Sequence, residues 1–194
     1  MRLFDLLKNP SAFFEASREE NWRAAFMFFL QITIVLSVVT PVVNYLGIES
    51  TDFSSAYQAQ ILSYNFLKDI LLGQYEIYAY VIEAMLITAF AFVVLILLTG
   101  FLHLACKLMG GKGPILNAWK AASYGVGPCI LGGFLPYISL FAGFYSAIIQ
   151  FYVGPKVLYG IKESRGIVFL AIIIASTFAE MFLRGTTVPH FTYP

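Results

Sequence analysis

Charged residues are scarce in this sequence of 194 residues, of which only 12% are Asp, Glu, Lys or Arg. Soluble domains carry about 25% charged residues. With 59% hydrophobic residues and a mean hydropathy of +0.78, the chain has too few charges to cover a water-soluble globule of this size. The sequence therefore predicts an integral membrane protein whose apolar surface faces lipid.

The residue types that carry most enzyme chemistry are also scarce. The sequence has two cysteines and two histidines. The cysteines, Cys106 and Cys129, fit neither a zinc-ligand nor a disulfide-framework spacing. The sequence contains no HExxH or GxSxG element and no Ser-His-Asp order. A net charge of +1 gives no global attraction for nucleic acid. We therefore expect no enzymatic activity, no catalytic residue, no cofactor, no metal ion and no nucleic-acid partner.

Long apolar runs predict an all-α fold with five transmembrane helices. These spans are expected at about 22–46, 77–109, 115–134, 137–161 and 166–183. The second exceeds the roughly 20 residues that cross a bilayer. We expect it to tilt, to break near Gly100 or to protrude at Lys107. The third is interrupted by glycines and Pro128, and such irregular backbone is tolerated at membrane depth only where protein or water covers it.

The segments outside the spans are expected at the membrane surface. Residues 1–21 form an interfacial cytoplasmic leader, in which Ser11 caps a short helix that lies in the plane of the headgroups. Apolar residues at helical spacing predict an amphipathic helix in the first outer loop, at 47–76. The membrane domain covers residues 22–184, and residues 185–194 form an outer tail.

Basic residues predict the orientation of the spans. Ten of the 12 lysines and arginines fall on one side of the five-span arrangement. The positive-inside rule makes that side cytoplasmic, with the N-terminus inside and the C-terminus outside. Five of these residues either signal topology alone or also contact anionic lipid or an acidic partner. They are Lys112, Lys120, Lys156, Lys162 and Arg165.

Three ionisable residues inside or near the spans are candidate polar membrane positions, namely Glu83, His103 and Glu180. Burying a charge in lipid is costly, so each is a functional hypothesis. The two carboxylates either have structural or interfacial roles, with Arg184 as an i, i+4 partner of Glu180, or form a polar site inside the bundle. His103 either acts as a proton relay or ligand, or it packs on or forms a hydrogen bond to a neighbouring helix.

The Gly110–Gly113 stretch does not match a phosphate-binding loop, because that motif requires Ser or Thr after the lysine. Its glycines instead predict the cap that ends the second span, and Pro114 predicts the start of the third.

Four stretches resemble the Yip domain family of Rab-GTPase-interacting proteins, in its prokaryotic type. They lie at residues 9–15, 103–113, 124–128 and 159–164. The residues that carry most of the likeness are Asn9, Pro10, Phe13, Gly110, Gly111, Lys112, Tyr124 and Pro128.

This resemblance implies a non-enzymatic, multi-pass scaffold that organises membranes or supports trafficking. Eukaryotic members act between endoplasmic reticulum and Golgi, with Rab GTPases and one another as partners. Here the short leader and the lack of an Asp-Leu-Tyr-Gly-Pro element disfavour a Rab-type GTPase. They favour a prokaryotic cell membrane over an endoplasmic reticulum or Golgi membrane.

The expected partners are the lipid bilayer with its anionic lipids, further copies of the chain, and other membrane proteins. The alternative function is a small transporter or channel. Its polar site would lie near Glu83 or Glu180 and the broken third span.

Overall fold

The computed structural model describes residues 2–45, 73–75, 78–135 and 138–187, and the elements within these ranges are helical. Two short helices precede a bundle of longer ones. The elements are α1 (Arg2–Lys8), α2 (Pro10–Ala16), α3 (Trp22–Tyr45), α4 (Ala79–Leu108), α5 (Ile115–Gly125), α6 (Cys129–Phe134), α7 (Ser139–Ile148), a π-helical turn (Ile149–Val153), α8 (Gly154–Tyr159) and α9 (Glu163–Thr187). The all-α class that the sequence predicted is confirmed for these residues.

Helix α4 presents most of its apolar surface outward. It is 30 residues long, and only 11% of its apolar stretch is buried, whereas a core helix of a soluble protein would be mostly buried. Its exposed side chains include Met85, Phe90 and Leu97. Among the described residues, α3 and α4 have the length and apolarity to cross a membrane. The five-span arrangement stays a prediction.

Of the three alternatives expected for the second span, the break near Gly100 is absent, because α4 runs without interruption from Ala79 to Leu108. A glycine inside a helix costs only about 1 kcal/mol, which a helix of this length tolerates. At 1.5 Å per residue, α4 is roughly 45 Å long, against about 30 Å of hydrocarbon. A bilayer therefore requires it to tilt or to protrude.

The third apolar segment is interrupted, and the interruption lies between Gly125 and Cys129. Helix α5 ends at Gly125, a turn occupies 126–128, and α6 begins after Pro128. Proline supplies no N–H to the preceding turn. The neighbouring backbone groups bond locally instead, since the N–H of Cys129 donates to Val126 O at 3.0 Å.

The fourth apolar segment contains a π-helical turn directly before Gly154-Pro155. Pro155 has no N–H for the carbonyl one helical turn earlier, and a widened turn accommodates that missing donor. A β-carbon at Gly154 would lie 2.8 Å from Ala121 Cβ. The small residue thus lets α8 and α5 approach closely.

The leader packs on the bundle through two helices rather than one. Leu6 of α1 and Phe14 of α2 are fully buried. The predicted cap at Ser11 is wrong, because the Asn9 side chain accepts from Ala12 N at 3.1 Å and Pro10 is the first helical residue. Proline suits that position, where its missing N–H has no intrahelical role.

Several predictions fall on residues that the structure does not describe. The amphipathic helix expected at 47–76 lies outside the described residues except for 73–75, as do residues 188–194 of the tail. Helix α9 continues to Thr187, so the tail expected from residue 185 begins within a helix.

Candidate functional site

Three parts of the chain meet at one end of the bundle and are joined by hydrogen bonds. The N–H of Lys112, after α4, donates to Tyr159 O at 2.9 Å. Arg165 Nη1, at the start of α9, donates to Met109 O at 2.6 Å. Arg18 Nη2, after α2, donates to Val157 O at 2.6 Å. We call this surface the basic end, and its exposed cations are Arg18, Lys107, Lys112, Lys162 and Arg165.

The turn after α4 owes its shape to two glycines. Gly110 has a φ of +82°, in the left-handed region that favours glycine. The N–H of Gly111 then donates to Cys106 O at 2.8 Å, and that of Gly110 to Lys107 O at 3.0 Å. This pair of bonds is the Schellman motif. The predicted glycine cap is therefore confirmed.

Tyr159 connects three elements at this end. Its hydroxyl donates to Pro114 O at 3.0 Å and lies 2.6 Å from His103 Nδ1. Because the Tyr159 hydroxyl donates its hydrogen to Pro114 O, its oxygen accepts from His103, which donates through Nδ1. The hydrogen bond from His103 to a neighbouring helix, one of its two predicted roles, is present.

An open cleft of about 540 Å³ lies between these turns. Two exposed cations, Arg18 and Lys112, line it together with the Asn117 amide. Asn117 Nδ2 donates to Leu158 O at 2.6 Å, which fixes the start of α5 against the end of α8. The cleft thus presents cationic and amide donors, a combination suited to acidic or phosphate-bearing groups.

A second polar cluster holds the leader on the bundle. Arg2 Nη2 pairs with Glu20 Oε1 at 3.0 Å, and the Tyr124 hydroxyl donates to Glu20 Oε2 at 2.5 Å. The Phe13 ring meets the Tyr124 ring edge-on, with centroids 4.8 Å apart. Tyr145 adds a hydroxyl bond to Leu7 O at 2.8 Å. Both leader helices are therefore attached to the bundle by named contacts.

A family model for the Yip1 domain matches residues 4–182. This chain belongs to the Yip1 domain family. The resemblance expected from the sequence is confirmed. Family membership and the outward apolar surface of α4 together indicate a membrane-associated protein. Comparisons with curated proteins and with solved structures gave no match.

The residues that carried the family resemblance have structural roles in this Yip1 domain. Asn9 and Pro10 begin α2, and Phe13 packs on Tyr124. Pro128, at the break in the third segment, is fully buried. Gly110, Gly111 and Lys112 form the turn that bonds to the end of α8.

The five cations predicted to contact lipid or a partner separate into three groups in the Yip1 domain. Lys112, Lys162 and Arg165 are exposed, and no carboxylate in the described part of the chain pairs with them. Lys156 pairs with Glu163 at 3.0 Å. Of the two roles predicted for Lys120, contact with lipid or a partner is not open to its side chain, which is only 1% exposed and whose Nζ donates to Arg18 O at 2.7 Å.

The Lys156–Glu163 pair has an electrostatic consequence. Hydrogen bonds from Lys156 and, secondarily, from the Tyr152 hydroxyl lower the pKa of the Glu163 carboxyl. The carboxylate therefore stays charged at neutral pH and offsets the charge of Lys156. Glu163 therefore does not offset the charges of Lys162 and Arg165, which lie on either side of it in the sequence.

The three polar membrane candidates do not share one site. Glu83 is buried near the start of α4, and His103 lies about 30 Å farther along the same helix. Glu180 is exposed on α9. The side chain of Arg184 lies outside the described part of the structure, so its pairing with Glu180 stays a prediction.

Three residues of the basic end were not predicted as site residues, namely Arg18, Asn117 and Tyr159. Asn117 gave a usable signal, since an amide three residues before Lys120 puts two polar groups on one face of a mostly apolar helix. Arg18 gave none, because its role depends on a carbonyl distant in sequence, that of Val157.

Proposed function

We propose that this Yip1 domain protein is a non-enzymatic, multi-pass scaffold of a prokaryotic cell membrane. Five helices cross the bilayer, the basic end faces the cytoplasm, and that end binds other membrane proteins or further copies of the chain. The observation that carries the proposal is that protein side chains fill the break in the third span. A transporter or channel would instead need that break to line a hydrated path.

Side chains of two other elements pack on the break. A β-carbon at Gly125 would overlap the side chain of Gln150, and one at Gly127 would lie 2.8 Å from Leu6 Cδ2. Pro128, the next residue, is fully buried. The π-helical turn and α1 therefore cover the irregular backbone, which meets the requirement that such backbone be covered at membrane depth.

Buried polar side chains beside the break bond to backbone carbonyls. Ser146 Oγ donates to Gly125 O at 2.6 Å, and Gln150 Nε2 donates to Ala122 O at 3.2 Å. Both bonds join the fourth segment to the third. These polar groups stabilise helix packing, which is the role expected of them in a scaffold.

The hydrogen bonds at the basic end support the proposed topology. The leader and the turn after α4 both bond to the segment formed by the end of α8 and the start of α9, which favours one side of the membrane for all three. Ten of the 12 basic residues lie in these segments or in the helix ends that flank them. The positive-inside rule favours the cytoplasm for that side.

Site-specific photo-cross-linking in native membranes tests the scaffold role. A photoreactive residue at position 112 or 162 is expected to capture a membrane protein or a second copy, whereas one at Leu97, exposed in the middle of α4, serves as the lipid-facing control. Capture at neither position 112 nor position 162, together with a monomeric protein in bilayers, would contradict the proposal. A solute flux lost in Glu83→Gln would favour the transporter instead.

A further inference from the structure

A second cavity lies beside the basic end, where the end of α4 meets the start of α9. Its volume is about 320 Å³. Its lining surface is almost entirely apolar, and the two polar residues that contribute to it, Ser164 and Arg165, lie at the start of α9. The lining residues are Met109, Ser164, Arg165, Val168, Phe169 and Ile172. We call this cavity the α4–α9 groove.

Along one face of α9, Arg165 is followed by the apolar residues that line the groove. Three apolar residues follow Arg165 at spacings of three, four and seven, namely Val168, Phe169 and Ile172. These spacings place all four residues on the same side of the helix. From Arg165 to Ile172 the rise is about 10 Å. A charged group at one end and apolar side chains over the next two turns match the shape of a lipid, with its headgroup at the membrane surface and its chain deeper.

Arg165 lies at the mouth of the groove and has more N–H donors than its bond to the turn uses. One of its five N–H groups donates to Met109 O at 2.6 Å. A β-carbon at Gly110 would lie 2.9 Å from Arg165 Nη1, so the glycine lets the guanidinium rest against the turn. Glu163, the nearby carboxylate on α9, is engaged by Lys156. The remaining guanidinium donors suit a phosphate oxygen, which arginine binds well.

We propose that the α4–α9 groove holds one anionic phospholipid, with its phosphate on Arg165 and an acyl chain along Val168, Phe169 and Ile172. Acyl chains surround exposed apolar grooves in a bilayer, and the arginine adds selection for an anionic headgroup. This site rests on the membrane placement in the proposed function, but it does not depend on any protein partner.

Native mass spectrometry of the purified protein tests the site directly. Phosphatidylglycerol and phosphatidylcholine with identical chains are added to the detergent-solubilised protein, and retained lipid is counted per chain. One retained phosphatidylglycerol is expected, preferred about fivefold over phosphatidylcholine, as one cation near an anionic headgroup provides.

Matched variants separate the headgroup contact from the chain contact. Arg165→Gln is expected to abolish the preference and Arg165→Lys to keep most of it. Lys162→Gln removes an exposed cation that lies outside the groove and leaves the preference unchanged. Val168→Trp fills the groove and lowers retention of both lipids, whereas Ile167→Trp, on an exposed neighbour outside the groove, does not.

Four results would overturn the site. The first is equal retention of the two lipids by the unmodified protein. The second is an equal effect of Arg165→Gln and Lys162→Gln. The third is full retention in Val168→Trp, and the fourth is displacement of the lipid by soluble glycerol phosphate at a matching concentration, because either would mean headgroup binding without the groove. Since the assay contains only protein, detergent and lipid, it is independent of whether cross-linking finds a partner.

Discussion

Gln150 occupies the space that a side chain at Gly125 would need. A β-carbon at residue 125 would overlap Gln150 Cγ, and the Gln150 amide, buried between the helices, donates to Ala122 O at 3.2 Å. This close approach brings Ser146 Oγ within 2.6 Å of Gly125 O. The crossing of the third and fourth segments therefore depends on the missing side chain at residue 125.

Gly125→Ala is expected to destabilise the protein by roughly 1–3 kcal/mol, because the added methyl group must displace a packed side chain. Thermal unfolding in a fixed detergent measures the effect. Gly143→Ala is the matched control, since a β-carbon there meets nothing within 4 Å. The cost of Gly125→Ala should fall in a Gln150→Ala background, and equal costs in the two backgrounds would show that this contact is not the cause.

Lys120→Ala is expected to destabilise the protein by about 2 kcal/mol, whereas Lys112→Ala changes stability little. The Lys120 side chain is buried, and its loss leaves a cavity and removes the bond to Arg18 O. Lys112 is exposed at the same end of the bundle. Unfolding temperatures measured side by side test this difference, and similar values for the two variants would refute the burial of Lys120.

The Lys156–Glu163 pair gives the basic end a pH dependence at acidic pH. The folded-state pKa of Glu163 is lowered by the Lys156 hydrogen bond, so the pair stabilises the fold above the ordinary pKa of 4.5. This contribution is lost as pH falls below that value and through the folded-state pKa. Glu163→Gln should unfold at a lower temperature than the unmodified protein at pH 7, with the difference shrinking as the pH falls below 4.5.

Lys156→Gln should reproduce that behaviour, because either substitution removes the same ion pair. A difference from the unmodified protein that persists at acidic pH in both variants would mean that the substitutions act through packing. Thermal unfolding from pH 7 to pH 3.5 in the same detergent distinguishes the two cases.

Features with a local physical cause could be predicted from the sequence. Gly110 and Gly111 predicted the end of α4, because a left-handed cap needs glycine. The glycines around Pro128 predicted the break in the third segment, because proline removes a donor and glycine adds no side chain. The helical class followed from the long apolar runs.

Features that depend on distant residues could not be predicted in the same way. The burial of Lys120 requires the carbonyl of Arg18, which lies 102 residues earlier. The sequence also leaves open whether α4 continues through Gly100, since only the surrounding helix decides whether one glycine ends it. The Ser11 cap was misplaced by two residues because Asn9 and Ser11 are both good caps, and the position of Pro10 decided between them.

Cysteine accessibility tests the central claim, a multi-pass protein with its basic end in the cytoplasm, most directly. In a Cys106→Ala, Cys129→Ala background, single cysteines replace Lys112, Lys162 and Tyr75, all of which are exposed. A membrane-impermeant maleimide should label position 75 in intact cells and label positions 112 and 162 only after permeabilisation. Labelling of position 112 or 162 in intact cells would contradict the account.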